Sequence, residues 1–157
     1  AMPARNTHAL FTVEGQCWRP RGFSHLDLES LHRYYQIADM STVDERLAGK
    51  AVRLRKVIDL VGPDHGTKYM TIESADGEYS VCLPLDEIAR TAVLIYEVGG
   101  KPIPPEDGGP VRFVIPYYSD NCANVKSVSR IVISKQPGKD TRPSNREQHE
   151  QLHSAGN

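Results

Sequence analysis

Residues 68–83 read KYMTIESADGEYSVCL, and the reading of this stretch decides the architecture. Two runs suited to strands, 68–74 and 78–83, flank Ala75-Asp76-Gly77. A short polar turn with glycine between two such runs is the local signature of a β-hairpin. Downstream, residues 85–90 make one or two helical turns, and 93–98 (VLIYEV) form a strand apolar enough to be buried on both faces. Residues 99–110 hold four glycines and four prolines, which impose too many special backbone dihedrals for a regular element, so this is a turn-rich loop. Residues 111–115 are a further buried strand stopped by Pro116, and 125–133 (VKSVSRIVI) close the domain as a strand.

Upstream of the hairpin, Leu54, Val57, Ile58 and Val61 follow the spacing of one apolar helix face, which predicts a helix over 52–61. Gly62-Pro63 ends it, because glycine suits the cap and proline cannot continue the helix. Residues 34–47 are polar and without a clean period, open to helix, strand or loop. Ser24 can cap a helix through Leu28 and Leu31, with Asp27 completing a partial capping box after a loop at Pro20 and Gly22. Residues 10–15 (LFTVEG) alternate as a short strand. Hairpins interspersed with short helices predict an α+β domain with mixed β-sheets rather than a doubly wound parallel sheet. No G-x-G-x-x-G or P-loop pattern follows a strand, which sets aside nucleotide binding by those routes.

A chain of 157 residues suits one domain with one core. We expect a flexible start over 1–9, the domain over 10–135, and a polar flexible tail over 136–157. The formal net charge of -1 gives the surface no dominant sign, so nucleic acid is not an expected partner. No apolar run is long enough to span a bilayer, and residues 1–6 lack the regions of a signal peptide. Cys17, Cys82 and Cys122 are far apart, with no C-x-x-C pair, so they read as reduced, partly buried thiols in a cytoplasmic protein. The six histidines, His8, His25, His32, His65, His149 and His153, show no metal-binding spacing; the last two are four apart but lie in the tail.

The second half of the chain resembles the molybdopterin-binding domain of the sulfite oxidase family. The resemblance rests on Ser74-Ala75-Asp76-Gly77-Glu78-Tyr79 with Leu83-Pro84-Leu85, then on Ile95-Tyr96-Glu97 running through Gly99-Gly100-Lys101-Pro102-Ile103-Pro104. It continues through Asp107-Gly108-Gly109-Pro110-Val111-Arg112 to Pro116, and through Val125-Lys126 to Arg130-Ile131. The helix over 52–61 and the opening strand and helix over 10–31 are similar as well, so the likeness spans residues 10–133. It implies the sulfite-oxidase-type molybdopterin-binding fold. It also implies a pterin cofactor held through its phosphate and ring, with a cysteine thiolate on molybdenum.

That thiolate has no counterpart here. The family's Gln-Cys step corresponds to Gln36-Ile37, and no cysteine lies from Trp18 to Val81. A hydrocarbon side chain offers a metal no lone pair. Of the three cysteines, Cys122 is the one candidate substitute, since it precedes the last strand near the family's cofactor pocket. The resemblance also implies a histidine, an arginine and a lysine on the pterin phosphate. Arg112 and Lys126 occupy the last two positions, and Asp107 replaces the histidine, where a carboxylate repels phosphate. Arginine can grip an oxyanion with two hydrogen bonds and lysine adds a compact charge; the plainer reading is that both reach solvent or pair with Asp107 or Glu106. Tyr117, Tyr118 and Asn121 follow Pro116, where the family's pocket wall lies.

Two functional classes follow. One is a binding module that keeps the scaffold and a pocket for a small anionic or ring-containing ligand, without molybdenum redox chemistry, and that also allows a protein partner or a homo-oligomer. The other is a divergent molybdopterin-dependent oxidoreductase with a non-standard metal ligand. Since fold alone does not dictate function, the site has to discriminate between them.

Overall fold

The fold was analysed in a computed structural model, which describes residues 8–142. The hairpin of 68–83 is present as β5 (Tyr69–Ser74) and β6 (Ser80–Pro84). Its turn is tied by Asp76, whose carboxylate accepts from Ser74 Oγ at 2.6 Å and from the Glu78 amide at 2.9 Å. The remaining strands are β1 (Ala9–Gly15), β2 (Arg21–Ser24), β3 (Gln36–Ile37), β4 (Lys50–Arg53), β7 (Val93–Val98), β8 (Lys101–Pro102), β9 (Arg112–Val114) and β10 (Val128–Ser134). Among the described residues three short α-helices accompany them: α1 (His25–Glu29), α2 (Leu54–Val61) and α3 (Leu85–Ala89).

Two sheets carry the domain. The first has the order β2-β1-β10-β5-β6; the second runs β3-β4-β7-β8, with β9 also on β7. The β1–β10 pair is parallel while β10–β5 and β5–β6 are antiparallel, so the first sheet is mixed. Register places Val13, Ile131, Ile72 and Val81 in one cross-strand row, all buried. The apolar face of α2 (Leu54, Val57, Ile58, Val61) joins the same core, and Gly62 closes that helix at φ 64°.

The second sheet presents two different faces because side chains alternate along a strand. Val52, Leu94 and Phe113 form a row, continued by Gln36, that faces the main core. The adjacent row, Ile37–Ala51–Ile95–Arg112, faces the other way. There Ile37, Ala51 and Ile95 join Met40, Val93, Ile103 and Val114 in a second, smaller apolar cluster, with Val43 and Leu47 packed against it.

Several boundaries move. Gly22, expected in a loop, sits in β2; α1 stops at Glu29 rather than reaching Leu31; and Val52 belongs to β4, ahead of the helix. The last strand starts at Val128, since Val125 makes a separate bridge to Phe113. The unreadable 34–47 region contains the two-residue β3 between 3-10 turns at Arg33–Tyr35 and Met40–Thr42. Residues 136–142 do not behave as a flexible tail. Thr141 and Ser80 exchange hydrogen bonds of 2.8 and 3.0 Å, and Arg142 holds Asp120 at 3.2 Å, so this segment covers the edge of β6. Residues 1–7 and 143–157, including His149 and His153, lie outside the described residues. Among the described residues no helix is long and apolar enough to cross a membrane.

Candidate functional site

Two segments far apart in sequence converge at one cleft of about 440 Å³. The hairpin supplies Ser74, Asp76 and Tyr79, and the approach to β10 supplies Asn124, Lys126 and Ser127. Backbone bonds clamp the two together: the Ala75 amide donates to Ser127 O at 2.8 Å, and the Ser127 amide donates to Gly108 O at 2.8 Å. Ser127 adopts φ 52°, an uncommon conformation for a residue with a side chain, imposed between these two anchors. Asn124 is pinned by accepting the Ile115 amide at 3.0 Å.

Arg112 and Lys126 are brought together. Gly108 sits at φ 92° between them, and a Cβ built there would lie 3.2 Å from Lys126 Cγ and 3.3 Å from Arg112 Cδ. A bare glycine is what lets the two cationic chains pass so close to the backbone. Neither cation makes a salt bridge among the described residues; Asp107, at the end of the 3-10 turn Pro105–Asp107, points to solvent instead. Arg112 Nε is buried and has no hydrogen-bond partner. Such an orphaned buried donor is costly, and an anion on the guanidinium would satisfy it.

The other predicted residues go elsewhere. Tyr117 and Asn121 are exposed and Tyr118 packs against the main core, and none of the three lines the cleft. Tyr117, at φ 58°, lies under the Arg46 guanidinium, 5.5 Å from its ring centroid. Sequence reasoning missed the cleft's polar wall of Ser74, Tyr79, Asn124 and Ser127. Ser74, Tyr79 and Ser127 stood inside motifs already singled out, whereas Asn124 carried no signal apart from lying two residues before Lys126.

The Arg46–Tyr117 contact also organises the 34–47 region. Asp44, 2% exposed, accepts from Arg46 Nε at 3.0 Å and Nη2 at 2.8 Å. The Arg46 side chain foremost, with the Arg46 and Tyr117 amides, pushes the Asp44 carboxyl down to about 2. A value depressed on folding means that this carboxylate stabilises the fold above its ordinary range near 3.9, and that the contribution disappears as pH falls through about 2. Acid titration of the folded fraction checks this: wild type should lose stability over that window more steeply than Asp44→Asn, which has no proton to take up.

Whether the residues fit a molybdenum-bearing pterin can be judged along the Ile37–Ala51–Ile95–Arg112 row. Its ends are three strand spacings apart, about 14 Å, so Ile37 and Arg112, the positions that the resemblance assigns to the metal ligand and to the phosphate grip, share one sheet face. At the metal end the fit fails. Ile37 is 7% exposed inside the second cluster, and the one heteroatom in that cluster's side chains is the buried Met40 thioether, a neutral sulfur. Cys17 and Cys82 lie on the first-sheet side, Cys17 bridged to Pro63 and Cys82 within β6. Cys122 neighbours the cleft, its carbonyl accepting the Tyr79 hydroxyl, but burial and then Asp120 push its thiol up, away from the thiolate a metal needs. At the anion end Arg112 and Lys126 do fit.

The fold and cleft define an α+β domain with two mixed or antiparallel sheets and a cationic corner. Comparison with known proteins agrees, and the chain belongs to the oxidoreductase molybdopterin-binding domain family, whose pattern matches residues 2–142. It is 30% identical over 110 residues to the uncharacterized oxidoreductase YuiH of Bacillus subtilis, covering 67% of this chain and 55% of that one. It is 28% identical over 93 residues to the NADPH nitrate reductase of Fusarium oxysporum, covering 55% of this chain and 10% of that one. The sulfane dehydrogenase SoxCD of Paracoccus pantotrophus shares the fold at a TM-score of 0.65, with 18% identity, 87% of this chain and 40% of that chain. The chain thus spans about half the length of the Bacillus relative and a tenth of the Fusarium one.

Proposed function

We propose that this domain is a binding module for a small, phosphate-bearing ring compound, of which a pterin is the natural example, and that it performs no molybdenum redox step itself. The observation that carries this reading is the pairing of a retained anion grip with a lost metal ligand on one sheet face. Arg112 presents a buried, unpartnered donor beside Lys126, whereas Ile37 offers hydrocarbon in place of a thiolate. The cleft beside Lys126 is lined by hydroxyl and amide groups from Ser74, Tyr79, Asn124 and Ser127, which suit hydrogen bonds to a heteroaromatic ring. The guanidinium would take the phosphate with two charge-assisted bonds while lysine adds a nearby point charge.

The competing reading, a divergent molybdopterin-dependent oxidoreductase with another metal ligand, has one observation in its favour: Cys122 lies next to the cleft wall at Tyr79. The raised thiol value weighs against it. Protein purified from a host that makes molybdopterin separates the two. We expect molybdenum far below one per chain by elemental analysis, with a phosphate-bearing pterin retained and detected by its fluorescence after release. Molybdenum near one per chain, abolished by Cys122→Ser, would establish the oxidoreductase reading instead.

A further inference from the structure

We propose that His25, Glu29 and Glu97 form a binding site for a divalent transition-metal ion of the zinc class, separate from the anion cleft and independent of the reading above. The candidate ligand atoms, one on each side chain, lie within 4.8 Å of one another. His25 and Glu29 are four residues apart on α1 and therefore share a helix face, and Glu97 reaches them from β7. The third ligand comes from a strand nearly 70 residues beyond α1, so the grouping has no sequence spacing of its own.

Local packing holds the three in place. Gln36 Nε2 donates to Leu28 O at 2.7 Å and Leu31 O at 3.1 Å, and its Oε1 accepts from Tyr96 Oη at 2.8 Å, so the end of α1 is pinned to β7 through one amide. The His25 ring meets the Tyr96 ring edge-on at 5.3 Å. His25 and Glu97 side chains are 12% and 13% exposed, while Glu29 faces solvent.

The imidazole itself points to a ligand. His25 Nε2 stands 2.9 Å from Glu97 Oε2, close enough for an ion pair, yet it is buried and makes no properly directed hydrogen bond. The carboxylate oxygen therefore lies off the axis of the ring nitrogen, and that axis is where a metal would sit. Bond lengths of about 2.0–2.2 Å around a tetrahedral ion place ligand atoms about 3.4 Å apart. With all pairs within 4.8 Å, none has to close by more than about 1.4 Å, and the exposed Glu29 chain is free to move. One nitrogen and two carboxylate oxygens suit zinc, with a fourth position left to solvent. Two carboxylates and a neutral imidazole carry a charge that a dication cancels. Lys50, opposite Glu97 in register, is the nearby competitor; its Nζ instead lies 5.7 Å from the Tyr96 ring centroid and it makes no salt bridge with Glu97 or Glu29 among the described residues.

Calorimetric titration of the chelator-treated full chain with Zn²⁺ tests the site. We expect one ion per chain and a rise in the thermal midpoint on saturation. Because even residues outside the coordination sphere commonly cost 10–100-fold in affinity, His25→Ala should lose more than about 100-fold. Glu29→Gln, a surface change that leaves the core intact, should lose at least about tenfold. Co²⁺ in place of Zn²⁺ should give visible bands of a nitrogen and oxygen site, without near-ultraviolet thiolate absorption. Failure to take up zinc, unchanged affinity in Glu29→Gln, or thiolate bands with Co²⁺ would each overturn the proposal and leave His25–Glu97 as a plain ion pair.

Discussion

Truncating Phe113 to alanine is expected to lower the unfolding free energy by about 3–5 kcal/mol, a large share of what holds a domain of this size together. Phe113 is fully buried in β9, sits beside Leu94 in register, and exchanges backbone bonds of 2.7 and 2.9 Å with Val125. Its ring thus fills the space where the second sheet meets the main core, and the Val125 bridge ties that strand to the approach of β10. Alanine would remove the ring's burial and leave a cavity that strands on both sides cannot easily close. Guanidinium unfolding measures this directly. A loss below about 1 kcal/mol would mean that the two layers are not packed through this residue.

Removing the neighbouring cation should do the reverse. The double substitution Arg112→Ala with Lys126→Ala is expected to weaken binding of a phosphate-bearing pterin by about 100-fold and leave stability nearly unchanged. A hydrogen bond to a charged group contributes about 1.5–3 kcal/mol, and 1.4 kcal/mol is tenfold in affinity. Arg112 follows Val111 and precedes Phe113, but it faces the other side of the sheet, and its Nε has no partner to lose. Deleting an unsatisfied donor costs the fold little. Fluorescence titration and unfolding on the same preparation report both quantities. Unchanged pterin affinity would remove the pair from the site; lost affinity together with lost stability would mark Arg112 as structural.

The contrast between these adjacent residues shows how far the chain could be read in advance. The hairpin of 68–83, the apolar face of 54–61 and the buried run 93–96 were legible because each carries its own pattern: a glycine turn, a helical period, a continuous apolar stretch. Arg112 and Lys126 were legible as residues of a motif, and the tertiary contact over Gly108 joined them. The stretch 34–47 was not legible, since a two-residue strand between 3-10 turns is too short to display any period and is held by Asp44, Arg46 and Tyr117 across the fold. The clasp of 136–142 on β6 escaped for a related reason: a polar segment that spends its hydrogen bonds on a sheet edge has the same composition as one that spends them on water.

By itself the amino-acid order determined the α+β character and the absence of any cysteine from Trp18 to Val81, because local periodicity and side-chain chemistry need no partner to be read. Only the tertiary structure decided which face Ile37 and Arg112 share, that Gly108 lets two cations meet, and that His25, Glu29 and Glu97 stand together. Those facts depend on strand register and on a shift of one residue, which turns every side chain of a strand to the opposite face.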